Sequence, residues 1–365
     1  MSRLRSFDIA VLGGGPAGLV AALVAARSAR TVLVLNRPPQ DDAALRIDAV
    51  PARTLALLVE LGIAPQTIGA ETLHERQGAC WQTATPECKR AAKTAHIERP
   101  RLELALFEVL RADGRIQIAI DGTQPKLRGD FRGLGWRAGH LIDATGRAAA
   151  TARARLKARP AWGSRFFWTM RHATRATPEF RIAALPGGYA YRLGAAERIG
   201  IGLVGRGALL KADAADLAGL RRDEAFAWLC EGMPPLGAMT AGASGATSVQ
   251  WATPGPAALI GDAAIARDPL SSQGLAASLS DAHYAVAALL FDKADTLRDR
   301  QSENLGAHLQ HLREVLRHCR HRDAPHWAAY ERFVAASIAE RATARPAPAL
   351  RRGRLQSAAL GQTFY

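Results

Sequence analysis

The first part of the chain alternates between apolar runs and a glycine-rich turn. Residues 7–12 form a short apolar run typical of a strand buried on both faces of a parallel sheet, and residues 31–35 form a second one. Between them, apolar residues at helical spacing predict a helix that ends at about residue 29. The pattern therefore predicts a strand–turn–helix–strand unit with the glycines in its turn.

The rest of the chain shows two textures. Short strand-like segments such as 166–172 and 188–193 indicate an antiparallel sheet in the middle of the chain. Apolar runs predict buried strands at 139–147 and 257–260. Helical spacing predicts helices at 51–61, 101–112 and 274–291 and in two C-terminal segments. Gly62 follows the first of these helices in the position of a C-terminal cap. The last helix has Trp327, Tyr330, Val334 and Ile338 on one face.

Composition limits the class of protein. Hydrophobic residues make up 48% of the 365 positions, which excludes a disordered chain and allows a sizeable core. The formal net charge of +15 favours an anionic partner, or else reflects a basic surface over the whole protein. The four cysteines match neither a disulfide scaffold nor a zinc pattern, and no apolar stretch is long enough to span a membrane. We expect a cytoplasmic protein that binds no metal, membrane or nucleic acid.

Gly13, Gly15 and Gly18 follow the first predicted strand and precede the predicted helix, as in dinucleotide-binding proteins. In that motif the first glycine permits the tight turn, the second lets backbone amides approach a pyrophosphate, and the third allows close packing of the helix on the strand. The helix N-terminus then offers N–H groups and its positive dipole to the phosphates. The sequence therefore predicts a dinucleotide site.

One position departs from the dinucleotide pattern. The acidic residue that binds the ribose is expected ~20 residues beyond the glycines, and Asn36, followed by Arg37, stands there instead. A neutral amide still accepts a hydrogen bond from a hydroxyl group, but without the assistance of a charge. The sequence predicts a weakly held cofactor, and the alternative is a site that no longer binds one.

Three segments, in this order, resemble the FAD-dependent monooxygenases of the p-hydroxybenzoate hydroxylase type and the related tryptophan halogenases. They are the glycine turn at 13–18, residues 141–147 (LIDATGR) and residues 258–274, which contain GDAA and DPLSSQG. The resemblance implies an α/β fold: an FAD-binding Rossmann-like domain of the glutathione reductase type, with an inserted antiparallel-sheet substrate domain and C-terminal helices.

Four further segments are similar to one branch of these proteins, the LodB-like flavoproteins that modify a tryptophan in a partner polypeptide during tryptophylquinone cofactor maturation. They are residues 47–62, 78–81, 97–102 and 322–327. The resemblance is weak over residues 162–256, where the substrate is expected. The branch implies an aromatic substrate, with a tryptophan-containing acidic polypeptide as one candidate partner for the basic surface.

The domain ranges follow from the resemblance together with the pattern of elements. Part of 63–98 is expected in the substrate region. The expected ranges are 1–160 and 255–295 for a discontinuous FAD-binding domain, 161–254 for the substrate-binding β-sheet domain, 296–344 for the C-terminal helices and 345–365 for a mobile tail.

The resemblance also implies which residues contact the cofactor. In that family the aspartate matching Asp262 contacts the ribityl chain, the loop led by Pro269 packs on the flavin ring, and an arginine matching Arg99 contacts the phosphates, with Arg101 as a rival candidate. The full set of expected FAD contacts is Gly13, Gly15, Pro16, Ala17, Gly18, Asn36, Arg37, Arg99, Asp143, Ala144, Gly146, Gly261, Asp262, Pro269, Ser271, Ser272, Gln273, Gly274 and Leu275.

These features predict an FAD-dependent monooxygenase that hydroxylates an electron-rich aromatic group through a C4a-hydroperoxyflavin, with O2 as co-substrate and NAD(P)H or a separate flavin reductase as electron source. A tryptophan in a protein or peptide partner during quinone cofactor maturation is the leading substrate. A free small aromatic molecule, a degenerate non-catalytic flavoprotein assembly factor and a saturated-bond reductase are the alternatives. Ser271 or Ser272 is expected to cap the helix beginning near Gly274, whose dipole would stabilise the negative charge of reduced flavin.

Candidate catalytic and substrate residues are fewer. His172 shares a predicted strand face with apolar residues and is either a catalytic base or a core histidine, and Pro269 is counted with it because of its expected place at the flavin. Tyr189 and Tyr191 share a strand face and either line an aromatic pocket or pack within the sheet. Trp81 is expected near the flavin by resemblance, and otherwise belongs to the core.

Two other kinds of site are disfavoured. Residues 251–254 do not match the Trp-x-Trp-x-Ile-Pro signature of the halogenases, so halogenation is not the leading activity. Four histidines at i,i+3 spacing are interpreted as an exposed helix face and not as a metal site; they are His308, His311, His318 and His321.

Overall fold

The computed structural model describes a large part of the chain. The described residues are 5–36, 46–70, 73–120, 132–133, 135–151, 162, 164–172, 179–195, 198–206, 217–248 and 257–343. Three predictions therefore lie outside the described residues, namely the cofactor contact of Arg37, the interpretation of 251–254 and the tail at 345–365.

The observed elements match the predicted ones closely in the N-terminal unit and at the C-terminus. The strands are β1 (Arg5–Leu12), β2 (Val32–Asn36), β3 (Ile47–Pro51), β4 (Leu73–Cys80), β5 (Glu87–Glu98), β6 (Ile116–Ile120), β7 (Arg132–Gly133), β8 (Trp136–Asp143), β9 (Ser164–His172), β10 (Phe180–Leu185), β11 (Gly188–Ala195), β12 (Arg198–Arg206), β13 (Thr240–Ala243), β14 (Thr247–Ser248), β15 (Ala257–Leu259) and β16 (Ile265–Ala266). The helices are α1 (Pro16–Arg27), α2 (Ala52–Glu60), α3 (Arg99–Ala112), α4 (Leu217–Leu220), α5 (Glu224–Leu229), α6 (Gly274–Leu290), α7 (Ala294–Arg317) and α8 (Pro325–Thr343).

A parallel sheet forms the first half of the fold. Its strand order is β15-β8-β1-β2-β6, and the short β7 pairs antiparallel with β8. The helices α1, α3 and α6 bury small and branched apolar side chains against one face, in a single core with β1 and β2. Because parallel strands place their carboxyl ends at one edge, the loops after β1, β8 and β15 meet there.

The second sheet includes strands from the expected range 63–98, and it departs from the expectation in also containing β3 and one parallel pair. Its order is β13-β9-β12-β11-β10-β4-β5-β3, so three of its strands come from before residue 100. The pair β10–β4 is parallel, so the sheet is not purely antiparallel as predicted. The strands at 73–98 carry many charged and polar residues on their exposed face. They contain no continuous apolar run, so the search for apolar runs did not predict them as strands. The predicted domain ranges stay a prediction.

The two C-terminal helices pack against the middle strands of the second sheet and share one core with side chains of β10, β11 and β12. Trp327, Tyr330 and Val334 are fully buried on the inner face of α8, which confirms the predicted face. The expectation of an exposed histidine face was wrong for His308, which is 1% exposed on α7. The adjacent Leu309 and the nearby apolar residues of α7 pack into the core. His308 lies next to this apolar side of the helix and is therefore buried with it.

Candidate active site

One cavity of about 350 Å³ lies between the carboxyl edge of the parallel sheet and one face of the second sheet. Ligands bind at this edge in open α/β sheets, and the volume falls within the range of ligand pockets. The cavity has two parts that we name by their chemistry. The glycine-loop side comprises the loops after β1, β8 and β15 and the start of α6, and the aromatic side comprises Phe166, Phe180, Tyr189 and Tyr191.

The three motif glycines divide into packing and ligand-facing positions. A Cβ at Gly18 would clash with the Gly13 carbonyl oxygen, and one at Gly13, where φ is +105°, would clash with Ala144. By contrast, a Cβ at Gly15 would meet none of the described atoms within 4 Å, and Gly15 lines the cavity together with Pro16 and Ala17. Gly13 and Gly18 are therefore needed for close packing of the turn, whereas Gly15 is open to a ligand.

Asn36 holds the glycine loop from the end of β2. Its side-chain oxygen accepts a hydrogen bond from the Gly14 backbone N–H at 3.1 Å, and a Cβ at Gly14 would clash with the Asn36 amide. The loop is therefore braced by the residue that replaces the usual acid. That Asn36 binds the ribose of the cofactor only weakly stays a prediction.

Two more backbone segments open onto the cavity. Gly146 after β8 and Gly274 at the start of α6 line it, and a Cβ at either position would meet none of the described atoms within 4 Å. The N-cap of α6 is Gln273, and among the described residues no side chain caps this helix, so the expected cap by Ser271 or Ser272 was wrong. The Ser271 hydroxyl instead donates to the Asp268 carbonyl oxygen at 3.3 Å. Within the described ranges, the N–H groups of the first turn of α6 thus have no side-chain acceptor beside the cavity.

The two aspartates of the glycine-loop side have different surroundings. Asp143 is 1% exposed, and its carboxylate accepts hydrogen bonds from the backbone and hydroxyl groups of Thr145 and Thr151. It braces the turn after β8 and is not among the cavity-lining residues. Asp262 does line the cavity and forms an ion pair with Arg147 at 3.6 Å, at the place where Gly261 adopts φ +57°.

Arg99 lies beside the cavity in a paired state. Its guanidinium donates two hydrogen bonds to Asp48, at 2.6 and 2.9 Å. Burial alone would raise the pKa of Asp48, but the positive charges of Arg99 and Arg46 outweigh it and lower that pKa. The pair fixes the guanidinium at the start of α3. The rival Arg101 forms an ion pair with Glu98 at 3.4 Å and is half-exposed.

The aromatic side is built by strand register. Phe166, Phe180, Tyr189 and Tyr191 come from β9, β10 and β11, at positions that alternate onto one face of the second sheet. The neighbouring strand β12 contributes glycines to that face: a Cβ at Gly202 would lie 2.5 Å from the Tyr191 ring. The absence of that Cβ lets the ring lie over the strand. The expected pocket role of the two tyrosines therefore fits their position.

Asp268 joins the two sides. It is 1% exposed, it lines the cavity, and it precedes Pro269, which lines the cavity as well. The Tyr189 hydroxyl donates to Asp268 Oδ1 at 2.7 Å, and the Leu270 backbone N–H donates to the same oxygen at 2.9 Å. Burial raises the pKa of Asp268. This carboxyl group was missed by the sequence analysis, although it stands next to the predicted proline.

The structure does not bring every predicted residue to the cavity. His172 ends β9 and is exposed, and Trp81 packs between Tyr189 and Trp327 with its indole N–H donated to the Val315 carbonyl oxygen at 2.9 Å. Neither is among the cavity-lining residues, and the same holds for Ser271 and Gln273. Three lining arginines were missed instead, namely Arg46, Arg147 and Arg267.

The residues present fit FAD. Gly15, Gly146 and Gly274 present bare backbone to one cavity, and the N-termini of α1 and α6 point their positive dipole ends at that backbone region. Such cradles suit the phosphates and the negative charge of a reduced flavin. Arg99, paired with Asp48, and Arg147, paired with Asp262, place guanidinium groups at the cavity, and the aromatic side offers a flat apolar face. The roles of individual residues toward FAD stay predictions.

Comparisons with known proteins give a family match for residues 6–130 and the fold of the chain. Residues 6–130 match the family model described as FAD binding domain. A search of the curated protein sequences finds no match. Within the part of the chain that the structure describes, no helix combines the length and apolar character needed to cross a membrane.

Three solved structures share the fold. QhpG, described as a peptidyl tryptophan dihydroxylase essential for tryptophylquinone cofactor biogenesis, is 21% identical over 89% of this chain and 78% of its own, with a TM-score of 0.69. The myxobacterial chondrochloren halogenase CndH is 18% identical over 93% and 91%, with a TM-score of 0.74. PqsL, a probable FAD-dependent monooxygenase from Pseudomonas aeruginosa, is 17% identical over 93% and 98%, with a TM-score of 0.66, and is also solved with 2-aminobenzoylacetate. The predicted α/β fold class is confirmed.

Proposed function

We propose a specific activity for this chain, which has an FAD-binding domain and the fold of the flavin-dependent monooxygenases and halogenases, as its sequence predicted. The activity is hydroxylation of an electron-rich aromatic group, with O2 as co-substrate and NAD(P)H or a separate flavin reductase as electron source. One observation carries the proposal: a single cavity joins the glycine-loop side to the aromatic side. FAD, when bound, supplies the activation of O2.

The residues of this chain would bind, orient and exclude water. Gly15, Gly146 and Gly274 would hold the cofactor through their backbone, and Arg99 and Arg147 would add positive charge. The uncapped start of α6 would stabilise negative charge that develops near it. On the other side, the four aromatic residues would hold a flat ring and keep water from it.

The leading substrate is a tryptophan side chain in a partner polypeptide. The similarity to QhpG supports it, and the net charge of +15 suits an acidic partner. A free small aromatic molecule is the second candidate, because Tyr189 is 2% exposed within the cavity and because PqsL binds such a molecule. With a free small molecule as substrate, the aromatic side encloses the whole substrate instead of one tryptophan side chain of a partner polypeptide.

The test is oxygen transfer to matched acceptors. FAD-loaded protein is reduced with dithionite and mixed with isotopically labelled O2 and one acceptor: an acidic tryptophan-containing peptide, the same peptide with alanine for tryptophan, or free tryptophan. We expect the label in the tryptophan peptide and not in its alanine counterpart. Label in free tryptophan at an equal or higher rate would favour the small-molecule substrate.

Failure has a defined signature. If every acceptor is recovered unlabelled and all reducing equivalents appear as hydrogen peroxide, the hydroxylase proposal is wrong. A protein that stays colourless after incubation with excess FAD would instead favour the assembly factor that binds no cofactor. The two outcomes are distinguished by the flavin absorbance of the purified protein.

A further inference from the structure

The aromatic side of the cavity carries two hydroxyl groups, and they differ in their partners. Phe166 and Phe180 contribute no polar side-chain atom. The Tyr189 hydroxyl donates to Asp268 Oδ1 at 2.7 Å. The Tyr191 hydroxyl, by contrast, forms no hydrogen bond with any of the described residues. The aromatic side therefore offers one hydroxyl group that the described part of the protein does not use.

The Tyr191 hydroxyl opens onto the cavity. Tyr191 lines the cavity and is partly exposed, and its hydroxyl oxygen is not one of the fully buried polar atoms that lack a partner. Gly202 in β12 leaves the space for its ring, since a Cβ there would lie 2.5 Å from the ring. A ligand in the cavity can therefore reach the hydroxyl without breaking a hydrogen bond between described residues.

The surroundings of the Tyr191 hydroxyl make it a donor. Burial raises the pKa of Tyr191 to about 12, so the hydroxyl keeps its proton at neutral pH. The nearby carboxylates of Asp48 and Asp268 accept hydrogen bonds from other side chains. The third charged group near it is the Arg46 guanidinium, which lies over the Phe166 ring at 5.9 Å. Its positive charge favours an oxygen acceptor at this place over a second donor.

We propose that Tyr191 is the specificity-determining residue of the aromatic side, and that its hydroxyl donates a hydrogen bond to a carbonyl oxygen beside the aromatic ring of the substrate. In a pocket lined mainly by apolar groups, a single polar group fixes the orientation of the ligand. The inference rests on the proposed function and deepens it, because it narrows the substrate class to aromatic rings with a carbonyl group nearby. That carbonyl belongs either to a free aromatic ketone or to a peptide group next to an aromatic residue.

The first test is the binding of two ligands of the same shape. Oxidised, FAD-loaded protein is titrated by calorimetry with 3-acetylindole and with 3-isopropylindole, which carry a carbonyl oxygen and a methyl group at the same place. We expect Tyr191→Phe to lower the ratio of the two affinities about tenfold, because the lost hydrogen bond affects the ketone alone. A ratio that changes by less than about twofold overturns the proposal for a free ketone.

Two further measurements separate ligand recognition from a structural role. Tyr284→Phe is the matched control, since Tyr284 is 39% exposed on α6 and is not among the cavity-lining residues, and we expect the wild-type ratio. Tyr191→Phe should leave the midpoint of urea unfolding unchanged, because its hydroxyl has no partner among the described residues. A lowered midpoint would show that the hydroxyl serves the fold, and would contradict the assignment.

A second titration identifies the source of the carbonyl group. The acidic tryptophan-containing peptide of the hydroxylation test is titrated into wild-type protein and Tyr191→Phe. A loss of peptide affinity of about tenfold assigns the acceptor to a peptide carbonyl. Unchanged peptide affinity together with a lowered ketone ratio assigns it to a free ketone. If neither the peptide affinity nor the ketone ratio changes, the proposal is wrong.

Failure of this inference is distinguishable from failure of the proposed function, because every titration uses oxidised protein without turnover. If no acceptor is hydroxylated but the ketone ratio or the peptide affinity depends on Tyr191, the specificity inference stands and the hydroxylase proposal fails. If hydroxylation occurs and neither quantity depends on Tyr191, the reverse holds. A fall in FAD affinity in Tyr191→Phe with both quantities unchanged would assign the hydroxyl to the cofactor and overturn the inference. A protein that retains no FAD is titrated as purified, and the same two quantities decide.

Discussion

The two sides of the cavity present different surfaces to a ligand. On the glycine-loop side the ligand meets backbone atoms, because Gly15, Gly146 and Gly274 expose their main chain. On the aromatic side it meets side chains, and the position of the Tyr191 ring depends on Gly202 in the neighbouring strand. Where the ligand contacts bare backbone, an added side chain blocks that contact directly. Where the ligand contacts side chains, a substitution in the strand below them changes the position of those side chains. A single added methyl group should therefore lower FAD affinity on the glycine-loop side, and should lower stability and the binding of an aromatic ligand on the aromatic side.

The largest contrast is expected within the glycine motif. Gly18→Ala places a Cβ against the Gly13 carbonyl oxygen, and we expect it to lower the free energy of unfolding by about 3 kcal/mol or more. Gly15→Ala faces open space at φ −78°, so we expect stability within about 1 kcal/mol of wild type but FAD affinity reduced about tenfold. Urea unfolding and FAD titration measure the two quantities. Comparable loss of stability in both variants would contradict the division into packing and ligand-facing glycines.

Acid should weaken the region around the aromatic side. Burial lowers the pKa of His96 to about 4, of His308 to about 3 and of His326 to about 4. Because the unfolded chain binds these protons near pH 6.5, stability falls as pH drops below that value, by up to about 3 kcal/mol for His96 and for His326 and up to about 5 kcal/mol for His308. Asp281, whose pKa burial raises to about 6, acts in the opposite direction by a similar amount. Burial also raises the pKa of Asp268 and of Glu103, which act like Asp281, and it lowers the pKa of His74, His140 and His321, which add to the loss. The six histidines outnumber the three acids, so we expect net stability to fall.

The measurement is urea unfolding at pH 7 and pH 5. We expect a loss of a few kcal/mol in the wild-type protein. His308→Leu should show a smaller loss, whereas His311→Leu, at an exposed position of the same helix, should behave like wild type. Stability that rises on acidification would show that Asp281 dominates.

The smallest effect is expected on the aromatic side. Gly202→Ala adds a Cβ that would lie 2.5 Å from the Tyr191 ring, and we expect a cost of roughly 1–3 kcal/mol together with weaker binding of indole. FAD affinity should be unchanged, because the other side of the cavity is untouched. Gly114→Ala, where a Cβ meets none of the described atoms within 4 Å, is the control for stability. A loss of FAD affinity in Gly202→Ala would break the distinction between the two sides.

The sequence predicts the backbone-made side better than the other one. The turn at 13–18 and the loop at 269–274 are recognisable because a tight turn or a close approach restricts which residues fit locally. The aromatic side depends on the register of β9, β10 and β11, and no local pattern states which strands are neighbours. Phe180 was missed for this reason, since its strand pairs with β4 from a distant part of the chain.

Two individual residues show the limits of motif reasoning. Asp143 belongs to a recognisable segment, yet its carboxylate is engaged by Thr145 and Thr151, because a buried acid after a strand can brace the turn as well as contact a ligand. Asp268 stood beside the predicted Pro269 but was overlooked, because only folding brings Tyr189 to it. Side-chain pairings across 79 residues of sequence are outside the reach of local patterns.

We expect FAD to bind in the cavity between Gly15 and Pro269, with the isoalloxazine reaching the aromatic side. A crystal structure of the protein after reconstitution with FAD tests it most directly. We expect the pyrophosphate at the start of α1, with Gly15 in contact, and the flavin ring beside Pro269 and Gly274. A flavin ring bound away from Pro269, or a pyrophosphate that does not contact the Gly13–Gly18 turn, would contradict it.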